Sequence, residues 1–370
     1  MSDNYLYQKV YRILLDEIID GKYVRGAILP SEKTLCDTFD VSLMTVRRAL
    51  NELQEQNIIR KEKGRGSVVA ASVRKSSGKH EKNIGVLDLE NFGLHKTSYP
   101  PVPFDATLYN QNQWKNMLYN SMYSCLAKDY NIFVENCDVE TFYDNFDSSI
   151  FQNIDKIFVV GIYTKKLIEF LQSKSKLVIV YNNFDTDISV CSVHSNERKN
   201  ARIAVQKLIS LGHTRLAAIN GDISFSESVE RYMGFQEAIM ANGLPVNWSY
   251  IKWGNMTSQS GYHLTHQLLS LPERPTTIVC VNDNVALGAL TAVKEAGLRC
   301  PEDISIIGHD YNPDLHALTG VNIASIDPLY AQIGKKIAEK LSRNIWFDDE
   351  CEVECELHLE NTIGPCPNHR

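Results

Sequence analysis

The chain has no long hydrophobic run. None of its apolar stretches reaches the about 20 residues needed to span a bilayer, so no membrane-embedded class is expected. Its first residues, Met1-Ser2-Asp3-Asn4-Tyr5, lack a basic stretch leading into an apolar one, so no secretory leader is expected. The nine cysteines are scattered; they draw no disulfide framework and point to a reducing compartment. A phosphate-cradling Gly-x-x-x-x-Gly-Lys-Ser/Thr loop is missing, as is the Gly-x-Ser-x-Gly turn of a nucleophilic serine. His263 and His266 stand three apart without the glutamate of a zinc-protease helix. Cys351, Cys355, His358, Cys366 and His369 invite a zinc reading, but residues 352–359 alternate like a strand, which favours plain structure. No cofactor and no metal are expected.

What is present is uneven. At 370 residues the chain suits two or three domains, and its 44% hydrophobic content can build real cores. The formal charge is -7, yet residues 1–82 hold 15 Lys and Arg against 11 Asp and Glu. A mildly basic head on an acidic body fits a nucleic-acid contact at one end.

In residues 6–20, Tyr7, Val10, Tyr11, Leu14, Leu15, Ile18 and Ile19 fall on one helical stripe, which Gly21 can end. Ser31 is a good N-cap for a second helix, 31–39, carrying Leu35 and Phe39. Ser42 caps a third, 42–56, with Val46, Ala49, Leu50 and Leu53 inward and Leu43, Met44, Arg47, Arg48 and Asn51 outward. Strand-like residues 58–69 follow, with a tight turn at Gly64-Arg65-Gly66. This order spells a winged helix-turn-helix, in which one helix crosses the phosphate backbone and the next enters the major groove. Candidate DNA contacts are the hydroxyls of Ser31, Ser42 and Thr45, the forked cations Arg47 and Arg48, and the wing at Gly64, Arg65 and Gly66 with Lys61 and Lys63. The bland alternative is a small structural domain with solvated charges.

Gly26, Leu29-Pro30-Ser31-Glu32, Leu35, Val41-Ser42, Thr45-Val46-Arg47, Ala49-Leu50, Leu53 and the Gly64-x-Gly66 wing resemble the GntR family of bacterial transcription regulators. The resemblance implies operator contacts from Arg47 and the start of the third helix. Lys33 and Leu43 stand where the family often has arginine. Leu43 and Met44 cannot donate to guanine but can touch a thymine methyl.

Residues 71–82 are small, polar and basic and read as a linker. From Asn83 short strands (84–89, 131–135, 156–160, 176–181, 215–219, 277–281, 304–308) alternate with helices (114–126, 165–173, 197–211, 228–242, 258–270, 284–296, 329–342). Such alternation predicts parallel sheets covered on both faces, and the length predicts two α/β lobes. In open α/β sheets ligands sit outside the carboxyl ends of strands. Asn182, Asn282 and Asp310 each follow an apolar strand, and Arg231 follows Asn220-Gly221-Asp222. Asp accepts from sugar hydroxyls, Arg donates in a fork and Asn does both. The plainer readings are that Arg231 pairs with Asp222 or Glu227, that Asp310 caps a turn, that Asn282 holds a strand end and that His213 satisfies a strand–helix corner.

Leu211-Gly212-His213, Arg231-x-x-Gly234-Phe235-x-x-Ala238, Val281-Asn282-Asp283-x-x-Ala286-Leu287-Gly288-Ala289 and Pro301-Glu302-Asp303-Ile304-Ser305-Ile306-Ile307-Gly308-His309-Asp310 resemble the LacI/GalR effector domain, a relative of periplasmic sugar-binding proteins. That resemblance covers about 83–365. It implies that Arg231, Asn282 and Asp310 hold hydroxyls and that Met256 stands where relatives often place a stacking aromatic. Glu90 and the loop 93–110, with Phe104 and Tyr109, are expected to close the pocket, and that loop is longer than in the relatives. Head and body together resemble the arabinose-responsive AraR repressors. The expectation is an α/β protein with a winged helix-turn-helix head (1–70), a linker (71–82) and a two-lobed, periplasmic-binding-protein-like body (83–370). Its implied function is a cytoplasmic, homodimeric transcription regulator, a repressor released from double-stranded operator DNA by a small sugar, arabinose-like or another monosaccharide. A carbohydrate-acting enzyme with the head as a localisation module is the alternative, and it would need an acid–base pair such as Asp283 and Asp310.

Overall fold

Two serine hydroxyls start the helices of the N-terminal segment. Ser31 accepts from the Thr34 N–H at 3.1 Å and Ser42 from the Thr45 N–H at 3.2 Å, each satisfying a donor that the helix leaves open. A computed structural model describes residues 3–19, 21–55, 58–70, 73–75, 82–89, 113–182, 187–313, 315, 320–343, 345–347, 349–359 and 361–367. Glu90 and the loop 93–110, with Phe104 and Tyr109, lie outside them. Contacts divide the chain into two units: 1–90, 126–193 and 336–351, and 91–125, 194–335 and 352–370.

The first unit opens with α1 (Asp3–Ile19), α2 (Glu32–Phe39) and α3 (Leu43–Glu55), then the antiparallel hairpin β1 (Ile59–Glu62) and β2 (Gly66–Val69), with Ile59 opposite Val69 and Glu62 opposite Gly66. Val10, Leu14, Leu35, Val46, Ala49, Leu50, Leu53 and Ile58 form its core, as their helical periodicity requires. Asp40 adopts φ 50° to end α2 and turn the chain into α3. Gly64 and Gly66, at φ 82° and 94°, supply the left-handed backbone that the wing needs.

The same unit holds a six-stranded sheet in the order β15-β8-β7-β6-β4-β5. Its members are β4 (Asn83–Leu89), β5 (Asn131–Cys137), β6 (Lys156–Gly161), β7 (Leu177–Tyr181), β8 (Cys191–Ser195) and β15 (Glu350–Val353). The pairings β5–β4, β4–β6, β6–β7 and β7–β8 are parallel. Helices α5 (Val139–Asn145) and α6 (Lys165–Ser173) lie among these strands in the chain, and Phe142, Leu167, Ile168 and Leu171 pack with Val159 and Val180 in one core.

In the second unit the sheet order is β10-β9-β11-β12-β13-β16. These strands are β9 (Leu216–Asn220), β10 (Ile251–Trp253), β11 (Thr277–Cys280), β12 (Ser305–His309), β13 (Ala324–Asp327) and β16 (Glu356–His358). All pairings are parallel except β13–β16, which is antiparallel. The helices of this unit are α4 (Gln113–Leu126), α7 (Glu197–Ser210), α8 (Ser226–Ala241), α9 (Ser258–Leu269), α10 (Asp283–Glu295) and the start of α11 (Tyr330–Leu341). Glycines set its helix crossings. A Cβ at Gly288 would strike the Ser258 carbonyl, one at Gly261 the Val285 carbonyl, and one at Gly234 the Arg198 carbonyl. The α9–α10 and α7–α8 contacts therefore bring backbone against backbone.

Several elements differ from expectation. Strands β8, β10 and β13 are short and carry Ser, His, Lys or Asp, so no apolar run announces them. Residues 352–359 are not one strand: β15 ends at Val353, and β16 begins at Glu356 in the other sheet. The linker also holds a strand, β3 (Val73–Lys75), antiparallel to β14 (Ile345–Phe347). Backbone pairing needs no apolar period, which is why composition hides it. No described helix is long and apolar enough to cross a membrane.

Candidate functional site

On the head, α3 presents an open face. Met44 is 73% exposed and Leu43 44%; Lys33, Ser42, Arg47, Arg48, Gly64, Arg65 and Gly66 are also at the surface. Thr45 departs from the expected set. It is 3% exposed, and its hydroxyl bonds Ser42 Oγ at 2.8 Å, so it secures the helix start rather than facing a phosphate. The hydroxyls of Ser31 and Ser42 accept backbone N–H groups, as caps do.

Arg47, Arg60, Lys61 and Arg65 of the head pair with acids. Arg47 Nε donates to Glu32 at 2.8 Å, and Lys61 lies 3.8 Å from the same carboxylate. Arg65 and Arg60 share Glu62, at 2.7 and 2.8 Å. Arg48 lies over the Tyr7 ring, 4.0 Å from its centroid. Exposed carboxylates hold these cations only weakly, so a phosphate can take their place. Glu32 is visible in sequence only as part of the Leu-Pro-Ser-Glu run; its pairing with Arg47 needs the α2–α3 angle.

One charged cluster of the body lies in the second unit, near the carboxyl ends of β11 and β12. Arg231 of α8 donates from Nε to Glu197 at 2.7 Å and from Nη1 to the Val281 carbonyl at 2.5 Å. Its Nη2 lies 3.4 Å from Asp310 Oδ1. That oxygen also accepts from Tyr330 Oη and from His309 Nδ1, both at 2.9 Å. His309 Nε2 reaches Glu197 at 3.1 Å. Arg231 thus uses neither Asp222 nor Glu227; Asp222 closes its own turn by accepting from the Ser224 N–H and hydroxyl.

Burial would push both carboxyls up, but the neighbouring cations outweigh it. Arg231 and His309 hold Glu197 at about 2, and Arg231 and His309 likewise hold Asp310 at about 2. Burial and Arg231 push His309 down, yet Glu197 and Asp310 more than reverse this and leave it above its ordinary value. Asp283, first residue of α10, behaves oppositely. Burial lifts it to about 7, despite hydrogen bonds from the Asn312 N–H (2.8 Å) and the Ser325 hydroxyl (2.7 Å).

Of the expected effector residues, Arg231, Met256, Asn282 and Asp310 come together here. Asn282 follows the plainer reading: its Oδ1 caps α10 through the Val285 N–H, and its Nδ2 donates to the Met256 carbonyl. Met256, half-buried, lies against Gly221 and the apolar core. Asn182 belongs to the first unit, at φ 53°, its carbonyl accepting from Tyr163. His213 sits at its corner between Thr276 and the Gly364 carbonyl.

Beside Asp310 lies a small, solvent-open depression lined by Gln113, Trp114, Met117, Asp283, Asn284, Asp310 and Asn312. Trp114 packs on Tyr330 with ring centroids 5.4 Å apart. The aromatic at the pocket is thus Trp114, not a residue near 256. Sequence reasoning missed it, with Glu197, His309 and Tyr330, because Trp114 fits a helical core stripe and Glu197 resembles any acid in a first turn.

Comparison with known proteins matches residues 6–69 to the bacterial regulatory proteins of the gntR family and residues 205–360 to the periplasmic binding protein-like domain. The chain joins a gntR-type head to a periplasmic-binding-protein-like body. Among curated relatives, the head-and-body chain is similar to the probable HTH-type transcriptional repressor ExuR of Bacillus subtilis (strain 168), 27% identical over 336 residues, covering 89% of this chain and 95% of the relative. Among solved structures, a regulatory protein of the LacI family from Chloroflexus aggregans matches with TM-score 0.64 and 24% identity, over 77% of this chain and 99% of that one. A CelR–cellobiose complex, described as a transcriptional regulator, matches with TM-score 0.64 and 18% identity, over 87% and 91%. These likenesses carry the body's fold; the gntR-type head gives it the make-up of a DNA-binding transcription regulator.

Proposed function

We propose that this chain is a repressor whose head, residues 1–70, grips operator DNA and whose body, residues 83–370, releases it on binding a small sugar. The observation that carries the reading is Asp310, paired with Arg231 near the strand ends of β11 and β12 and lining a pocket together with Trp114. Asp310 keeps one oxygen for its three protein donors and offers the other to a ligand hydroxyl. The indole offers a flat apolar surface to the C–H face of a sugar ring. Transcriptional repression in the ExuR relative and cellobiose in the CelR complex support the same reading. Two heads on a two-fold operator make a homodimer the natural working form, in the cytoplasm where the operator is. The role is regulatory rather than catalytic: Asp310 is already committed to Arg231, His309 and Tyr330, which suits holding a ligand better than shuttling its protons.

The test is selection of bound duplexes from random-sequence DNA by the full-length protein, followed by titration of pentoses and hexoses into the selected complex. The expected result is a two-fold symmetric site from which at least one monosaccharide displaces the protein, with an affinity loss of tenfold or more. Failure to retain any duplex, or indifference to every sugar, overturns the reading.

A further inference from the structure

Glu197 has no place in the sugar reading as it stands. It sits at the first turn of α7, 1% exposed, and takes no part in lining the pocket. Yet it fixes the pocket's charge. Arg231 spends Nε on Glu197 and Nη1 on the Val281 carbonyl, leaving only Nη2 toward Asp310. His309, 1% exposed, bridges Glu197 and Asp310 from the other side. Two carboxylates thus face one guanidinium and one imidazole, and the set is neutral when the imidazole is protonated and negative when it is not. Among the described residues, the pocket lining adds a second carboxyl, Asp283, three amides, Trp114 and Met117, and no cation. A ligand carboxylate entering beside Asp310 would meet like charge, with no cation among the described lining residues to receive it. A hydroxyl in the same place donates to Asp310 at no such cost.

We propose that Glu197 is the specificity-determining residue of the effector pocket. By engaging and neutralising Arg231 it reserves the pocket for uncharged sugars and turns away their uronic-acid counterparts. His309 is its helper, holding Glu197 and Asp310 in register. This rests on the sugar reading above. Replacing Glu197 by glutamine keeps the shape and hydrogen-bonding length but frees one positive charge at Arg231, so the pocket should then accept a carboxylate.

The experiment is calorimetric titration of the full-length protein with matched pairs that differ by the carboxylate: L-arabinose and D-galactose against D-galacturonate, and D-xylose and D-glucose against D-glucuronate. In the wild type, a neutral member is expected to bind at least tenfold tighter than its uronate. In Glu197→Gln that ratio should shrink at least tenfold through gained uronate affinity, while Glu197→Asp, which keeps the charge, should leave it within about threefold. Equal loss of both ligands in a folded Glu197→Gln would mark a merely structural role and overturn the proposal. A uronate preference in the wild type would overturn it too, leaving the sugar reading intact. Binding of none of the pairs would sink the sugar reading and this proposal together. If Glu197→Gln does not keep its circular-dichroism melt, His309→Gln carries the test. Loss of that cationic partner should widen the ratio, and an unchanged ratio in a folded His309→Gln overturns the proposal.

Discussion

At the residue scale, the outward face of α3 separates grip from reading. Arg47 is an exposed cation whose partner, Glu32, phosphate can replace. Arg47→Ala should weaken binding to all duplexes and lower the slope of log affinity against log salt by about one. Met44 carries no charge and stands far out of the helix. Met44→Ala should leave that slope unchanged and relax preference at one base pair by roughly 1 kcal/mol, as loss of a thymine-methyl contact would. Fluorescence anisotropy over a salt series with single-base operator variants reads both. In the body, Asp283 is the residue with a measurable pH signature. An acid raised from 3.8 to about 7 on folding contributes stability that is complete below about pH 4 and is lost as pH rises to about 7. Glu197 and Asp310, both at about 2, act in the other window: their contribution is present above about pH 4 and is lost toward pH 2. Asp283→Asn should flatten the decline in stability between about pH 4 and 7, which reaches at most about 4 kcal/mol. Chemical denaturation across that range, wild type against variant, measures it, and an unchanged slope would refute the assignment.

At the scale of elements, the helices form where caps and periodicity coincide, and they pack where glycine allows. Ser31, Thr164, Asn196, Thr257 and Asn282 each place a side-chain oxygen on a backbone N–H at a helix start. This is why boundaries such as 165–173 are legible from residues alone. The contacts between helices are not legible in that way. Gly288 could be a weak point of α10 or a contact; the Ser258 carbonyl against it decides for contact. Gly288→Ala removes a helix-weakening glycine yet should destabilise the protein by about 1–3 kcal/mol, because the methyl must push α9 off α10. A thermal melt showing stabilisation instead would mean that the two helices yield freely. The same logic separates Trp114 from Trp248: both are aromatic residues in helical turns, but Trp114 lines a pocket and Trp248 is 69% exposed.

At the scale of the whole molecule, the linker is the element to test. Its residues 73–75 are tied by backbone pairing to 345–347, the segment that follows α11 in the chain. Helix α11 begins at Tyr330, whose hydroxyl donates to Asp310. Chain connectivity therefore leads from the charged cluster around Asp310 to the strand that holds the linker. Replacing residues 73–75 with Gly-Ser-Gly weakens strand pairing while every residue of the head (1–70) and of the pocket lining keeps its identity. The expected outcome is unchanged operator affinity without sugar and at least a threefold smaller response to saturating sugar, read in the same displacement titration. An unaltered response would assign the coupling to another route.

The amino-acid order alone determined the head, the alternation of strands and helices, and two members of the buried charged cluster, Arg231 and Asp310. Those features rest on local rules: capping, period and the chemistry of side chains next to strand ends. Only the tertiary structure decided that Thr45 faces inward and that Glu197 rather than Asp222 answers Arg231. It alone joined His309 and Tyr330 to Asp310, and set Trp114 rather than Met256 beside the pocket. The three partners of Arg231 lie 34, 50 and 79 residues away in the chain, and pairings at that range depend on how sheets and helices close on one another, which no local pattern encodes.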